Sequence, residues 1–327
     1  MHKYESITDI EGIYVGHATN AEAGTGCTVI VCPRGAVGGV DVRGGAPATR
    51  ETDLLRAEET VQELHAVVLS GGSAFGLAAS TGVAEELERR DIGLDVGVTK
   101  VPIVSGACLF DLMCGRGDVR PTAADGVAAV ANALDGERRP LAVGNVGAGT
   151  GCTVGKLAGA ERCMKSGLGE SVQTCGELVC GAISAVNAVG DVVDPVSGSG
   201  IAGLLDEAGE SVVDSTEALL SLGATMPLSR TNTTISCVVT NARLTQAQAT
   251  KVAQMAADAY AHTIRPTHTT NDGDTIFVLA TGEYELPAAM PLDVVGVLAT
   301  KALEGAIVDA ALSAKGAYGF KAACDLM

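Results

Sequence analysis

Residues 230–242, RTNTTISCVVTNA, place three polar residues, Asn232, Thr233 and Thr234, directly before an apolar run from Ile235 to Thr240. A cut of the Asn232–Thr233 peptide bond would make Thr233 the first residue of a new chain. It would then carry a hydroxyl and its own base, an α-amino group with an unperturbed pKa of about 7.7–8.0. An activated oxygen nucleophile needs those two groups side by side. The β-branched side chain has few χ1 choices, so Oγ would be held in one direction. The same hydroxyl can make the cut by attacking the preceding carbonyl, a step that needs a tightly held peptide. On the tripeptide alone, the commoner meaning is a turn feeding a strand. Asn-Thr-Thr is also formally a glycosylation sequon, which a cytosolic chain would not use.

Downstream, RPTHTTNDGDTIFVLATG (265–282) sets Asp272 and Asp274 two residues apart at the mouth of a strand. Extended geometry points both carboxylates to one side. Like charges there raise one of the two pKa values, and such a pair could hydrogen-bond the hydroxyl and ammonium of Thr233. The plainer alternative is an Asp-Gly turn entering a strand. Lys156 follows a glycine loop in apolar surroundings, where a lysine needs a partner. Asn187 interrupts the apolar run ISAVNAVGD with an amide that must find hydrogen bonds. Lys156 would supply positive charge near the nucleophile, and the Asn187 amide would donate to an oxyanion. Each of the two, taken singly, also has a structural reading.

Familiar motifs fail at defined positions. The glycine turn after HAVVLS has Phe75 where a nucleophile elbow needs its last Gly. A P-loop on Lys156 would need Gly in place of Thr150 and Ser or Thr in place of Leu157. A dinucleotide fingerprint starting at Gly147 would end on Cys152, and the Asp272-Gly-Asp274 run lacks the offsets of an EF-hand.

The elements that must position these residues alternate along the chain. Stretches 27–33, 65–70, 141–147, 180–190, 234–242 and 275–282 are rich in β-branched residues and apolar on both faces, and they predict strands. Stretches 49–64, 73–90, 122–134, 244–264 and 291–314 predict helices, with Thr49 and Thr245 as candidate caps. Such mixing predicts a layered α/β or α+β domain. With 42 Gly, no Trp and 3% aromatic residues, the core is expected to be built from Ala, Val, Leu and Gly.

A formal net charge of −17 argues against nucleic acid and is compatible with amine-bearing ligands. The opening MHKYESITDIEGIYVG lacks the apolar core of a signal peptide, and no apolar run reaches the 18 or so residues of a membrane helix. The ten cysteines then read as reduced thiols in a cytoplasmic chain. No Cys or His spacing supports a metal site, and the five His read mostly as bland.

Several long motifs carry a resemblance: DVRGGAPATRETDLL (41–55), LSGGSAFGL (69–77), GNVGAGTGCTVGK (144–156), RTNTTI (230–235) and RPTHTTNDGDTIFVLATG (265–282). Together they resemble the family of self-processing L-aminopeptidase/D-esterases and β-peptidyl aminopeptidases, which includes the nylon-oligomer hydrolases. The likeness runs over nearly the whole chain. The Asn-Thr-Thr junction and the two-Asp motif are most similar to the nylon-oligomer hydrolase branch. Aminopeptidase members have a Ser nucleophile and a Ser/Glu pair at these places.

The resemblance implies an α+β fold, a four-layer αββα sandwich of two central sheets with the nucleophile at the start of an inner strand. It implies one domain, 1–327, cut between Asn232 and Thr233 into chains 1–232 and 233–327 that stay together and assemble into homotetramers. Carried over by position, Thr233 is the nucleophile, Asp272 and Asp274 orient it, and Lys156 and Asn187 support the bond that forms and breaks. No metal or organic cofactor is implied. The expected activity is hydrolysis of amide bonds through an acyl-enzyme on Thr233. Expected substrates are small peptides with a free amino terminus, β- or D-amino acyl amides, or 6-aminohexanoate-type oligomers. Two rival expectations are acyl transfer of the ornithine acetyltransferase type and an unprocessed, non-enzymatic homologue.

Overall fold

The computed structural model describes residues 4–136, 140–222 and 232–326. Arg230 and Thr231 of the RTNTTI junction lie outside the described residues; Asn232 and Thr233 lie within them. The main strands are β1 (Tyr14–Asn20), β2 (Thr25–Val42), β3 (Thr49–Arg50), β4 (Leu64–Ser70), β5 (Val104–Cys108), β6 (Leu168–Cys175), β7 (Leu178–Asn187), β8 (Thr233–Ala242) and β9 (Thr275–Tyr284). The helices are α1 (Ala78–Arg89), α2 (Ala123–Asp135), α3 (Ser215–Leu222), α4 (Gln246–Ala256), α5 (Asp258–Thr263) and α6 (Leu292–Leu312). The nine strands form one hydrogen-bonded path in the order β6-β7-β8-β9-β2-β4-β5-β3, with β1 beside β2.

The long strand β2 serves two halves of that path. Its first part, Cys27–Val31, pairs with β1 and β4, and its last part, Val37–Val42, pairs with β9. Period-2 alternation then sorts the side chains. Ile235, Cys237 and Val239 of β8 join Phe277 and Leu279 of β9, Ile183 of β7 and Ile30, Val67 and Leu69 of β2 and β4 in one core. Val238 of β8 faces the other way, with Ile276 and Val278 of β9, and packs against Val252, Ala256, Ala302, Leu303 and Ile307 of α4 and α6. On the other half, Val29, Val31, Ala66 and Val68 pack against Val83, Leu87, Ala129 and Val130 of α1 and α2.

Small residues let these layers close up, as the composition predicts. A Cβ on Gly39 of β2 would lie 2.4 Å from the backbone of Ala249 in α4. One on Gly169 of β6 would lie 2.2 Å from both Ala306 O and Ala310 N in α6. No side chain fits at either contact.

Most expected elements form, and three depart from expectation. The stretch 49–64 is not a helix. Thr49 and Arg50 pair with Ala107 and Gly106 of β5, and Glu51 adopts a φ of 58°, outside the helical region. Only a short 3-10 turn, Asp53–Leu55, follows. The stretch 141–147 is not a strand. Gly144 makes one isolated bridge to Leu168, and Gly144 and Gly147 both take positive φ, 80° and 51°, which interrupts extended backbone. The stretch 244–264 is two helices, α4 and α5, meeting at Ala257. Thr245 does cap the first, accepting from Gln248 N in a capping box.

Candidate active site

Thr233 is the first residue of β8 and lies between two neighbours, with its side chain buried. On one side β7 runs antiparallel and pairs Asn187 with Thr233. On the other, β9 runs parallel, but its pairing begins only at Ile235–Thr275. The gap before that pair is filled by the turn 272–274. Asn232 bridges Asp272, and Gly273 N–H donates to the Asn232 carbonyl at 3.2 Å. The Thr233 hydroxyl also donates to that carbonyl. A Cβ on Gly273 would stand 2.8 Å from Thr233 Oγ1, so only glycine leaves the hydroxyl its room.

The two carboxylates flank this glycine, and both are buried. Asp274 Oδ1 accepts from Thr234 N–H at 2.8 Å, while its Oδ2 accepts from His268 Nδ1 at 2.8 Å and from His268 N at 3.2 Å. Asp272 Oδ2 accepts from Thr269 N at 2.5 Å, and its Oδ1 has no hydrogen-bond partner among the described residues. Burial, and then the charge of Asp274, push the Asp272 carboxyl up to about 6. A buried carboxylate oxygen with nothing to accept is costly, and this one sits next to the turn that covers Thr233.

Lys156 and Asn187 meet behind the β7 side. Lys156 Nζ donates to Asn187 Oδ1 at 2.7 Å and to the Asn187 carbonyl at 2.9 Å. Burial lowers the Lys156 pKa to about 8. Thr153 N–H also donates to Asn187 Oδ1, and Asn187 Nδ2 donates to the Phe110 carbonyl at 2.8 Å. The lysine therefore turns the amide oxygen toward itself, and one amide hydrogen is taken by Phe110. All six residues singled out in the sequence, Asn232, Thr233, Asp272, Asp274, Lys156 and Asn187, converge at this end of β7, β8 and β9.

Sequence reasoning missed three contributors. His268 is one of the histidines read as bland, although it stands only six residues before Asp274 in the same motif. Tyr260, fully buried, stacks on the His268 ring at 5.3 Å between centroids and places its hydroxyl 3.1 Å from the Thr234 carbonyl. Asp111 is buried beside the glycine turn and accepts from Thr25 Oγ1 and Gly72 N, both at 2.6 Å. Burial raises its pKa, and its neighbour Phe110 is the residue that holds Asn187. None of these carries a spacing signal that pairs it with Thr233.

Among the described residues no group of three or more His, Cys, Asp or Glu is arranged to hold a metal ion, and no helix is long and apolar enough to cross a membrane. The ten cysteines are free thiols, eight of them buried.

Two solved structures share the fold. The L-aminopeptidase D-Ala-esterase/amidase of Ochrobactrum anthropi, described as a variant of the Ntn hydrolase fold, superposes with a TM-score of 0.69 at 18% identity, covering 98% of this chain and 90% of that one. A Burkholderia sp. β-aminopeptidase superposes with a TM-score of 0.65 at 23% identity, covering 95% and 87%. The mixed α+β fold is thus similar to that of N-terminal-nucleophile hydrolases.

In sequence, the chain is 42% identical to an uncharacterized aminopeptidase of Mycobacterium leprae, over 98% of this chain and 94% of that protein. It is 33% identical to a 6-aminohexanoate-oligomer endohydrolase of Paenarthrobacter ureafaciens, over 85% and 76%. Residues 5–324 match the model of peptidase family S58. The chain belongs to that family, and it is a hydrolase of peptide or amide bonds.

Proposed function

We propose that the chain is a self-processing hydrolase whose nucleophile is Thr233 after cleavage of the Asn232–Thr233 bond. The observation that carries this reading is the buried Thr233 hydroxyl set against the Asn232 carbonyl, with Gly273 N–H on the same oxygen. Attack of Oγ1 on the Asn232 carbonyl carbon closes a five-membered ring, and the Gly273 donor offsets the charge that develops on oxygen. Collapse breaks the C–N bond, leaving Asn232 as an ester on Oγ1 and freeing the Thr233 amine. Water hydrolyses the ester to the Asn232 carboxylate. The products are chains 1–232 and 233–327, a single domain in two pieces.

In turnover the freed amine takes the hydroxyl proton, directly or through water, as Oγ1 attacks a substrate amide. An acyl-enzyme forms, the substrate amine leaves protonated, and water releases the acyl product. Asp272 Oδ1, without a hydrogen-bond partner among the described residues, is the acceptor for the new ammonium. Asp274 holds the start of β8. Lys156 and Asn187 flank the oxyanion, the cation lowering the cost of negative charge.

The three core layers fit the αββα sandwich, with Thr233 at the head of an inner strand. The substrates are small peptides with a free amino end or 6-aminohexanoate-type oligomers, a class supported by the endohydrolase relatives. A cytoplasmic homotetramer of cut pairs is part of the same reading. Thr233→Ala is expected to stay one chain on a denaturing gel and to lose hydrolysis of an aminoacyl p-nitroanilide by more than 10³-fold (roughly the loss seen when a nucleophile is removed). A Thr233→Ala protein that hydrolyses as the parent does removes the residue from the chemistry.

A further inference from the structure

The nucleophile strand is anchored unevenly. On its β7 side both Thr233 and Thr234 have strand partners, Asn187 and Val186. On its β9 side the strand pairing starts two residues later, at Ile235. There the Thr234 N–H is held by a side chain, Asp274 Oδ1, at 2.8 Å. The Thr234 carbonyl accepts from the Tyr260 hydroxyl at 3.1 Å, and that hydroxyl lies 2.8 Å from Ser236 Oγ. Both ends of the residue that follows Thr233 are therefore fixed by Asp274 and Tyr260.

One residue touches both. His268 Nδ1 is 2.8 Å from Asp274 Oδ2, its backbone N–H adds a second donor at 3.2 Å, and its ring lies on Tyr260 with 20° between the planes. Asp274 Oδ2 is thus held by two donors of His268, with Thr267 Oγ1 a third and longer one at 3.3 Å, and this opposes a swing of Oδ1 away from Thr234. The backbone supports this placement: His268 takes a φ of 54°, a region that most side chains avoid and that His, Asn and Asp tolerate best.

We propose that His268 is a positioning residue for the reaction at Thr233: it clamps Asp274 so that the first peptide groups of β8, and with them the Thr233 hydroxyl and amine, keep the attacking geometry. The inference rests on Thr233 being the nucleophile. Because His268 acts through Asp274, it should affect the chemical step and not substrate affinity. Misplacement of reacting groups by about 1 Å is enough to cost on the order of 100-fold.

The test compares three variants for the rate of self-cleavage and for kcat and KM on an aminoacyl p-nitroanilide, with a melting curve for each. His268→Asn puts an amide N–H where Nδ1 stands and tolerates the positive φ. His268→Gln puts its amide near the place of Nε2 instead. His268→Ala removes the ring donor and leaves the longer backbone one. The expected result is kcat and self-cleavage about 10- to 100-fold lower for Ala and Gln, with KM within about twofold of the parent, and Asn restored to within about threefold. A merely structural role, the strain of a positive φ on Ala and Gln included, would lower stability in step with activity; the clamp instead lowers kcat in variants whose melting curves match the parent's. If the Ala variant does not fold, the Asn and Gln pair decides: equal activities overturn the proposal. A parent protein that is processed and Thr233-dependent, beside a fully active His268→Ala, overturns this inference alone. A parent that is unprocessed, or active without Thr233, overturns the underlying reading whatever the His268 variants do.

Discussion

Gly273 shows how closely the site is fitted around one hydroxyl. A methyl group there would press on Thr233 Oγ1 at 2.8 Å, with Ala46 O at 3.1 Å leaving no retreat. Gly273→Ala is therefore expected to slow self-cleavage by roughly 10²-fold, read as accumulation of full-length chain on a denaturing gel. The charged groups nearby set a pH window. On the proposed mechanism turnover needs Asp272 ionised and the Thr233 amine unprotonated, so it rises as pH increases from about 6, and it needs Lys156 cationic, so it falls as pH increases past about 8. A bell with those two limbs is expected for kcat, and a flat profile from 5 to 9 would contradict the roles given to both.

The same shifts bear on stability. Asp272 is raised from its ordinary 3.8, so the stability it adds is full below about 4 and lost as pH rises through 6. Lys156 is lowered from 10.5, so its contribution is present above that value and lost as pH falls through 8. Between 6 and 8 the fold carries both buried charges at full cost. In the uncut Thr233→Ala background, where no ammonium faces Asp272, Asp272→Asn is thus expected to be more stable at pH 7 by roughly 1–3 kcal/mol in urea unfolding, with the difference closing toward pH 4.

At the scale of elements, the close contact between β6 and α6 rests on the absence of a side chain. Gly169→Ala forces a Cβ into the helix backbone at 2.2 Å, and a loss of about 1–3 kcal/mol in urea unfolding is expected. Thr245→Ala removes the α4 cap and should cost about 1 kcal/mol. These elements also mark what a sequence can and cannot disclose. The strands around residues 234–242 and 275–282 were legible because both of their faces are buried, which writes an unbroken apolar run. Stretch 49–64 has the pattern of a helix, but its fate is decided by β5, more than 50 residues away, and by the positive φ at Glu51. Thr233, the two carboxylates, Lys156 and Asn187 were legible as candidates through long motifs, and the fold brings them together. His268 and Tyr260 were not, since their roles depend on a ring stack and a hydroxyl contact that no spacing encodes.

The whole molecule places its proposed cut where separation of the pieces would be most damaging. Segment 233–327 supplies β8 and β9, which stand in the middle of the sheet path between β7 and β2, and also α4, α5 and α6. Without it, β7 and β2 become open edges with apolar faces on both sides. Segment 1–232 expressed alone is expected to aggregate, and co-expression with 233–327 to restore a soluble pair that elutes together in gel filtration. Processing itself is read most directly by intact mass and N-terminal sequencing of the purified parent protein. Two species are predicted, one of them beginning Thr-Thr-Ile-Ser. A single active species of 32.8 kDa, with no such amino terminus, would contradict the account at its centre.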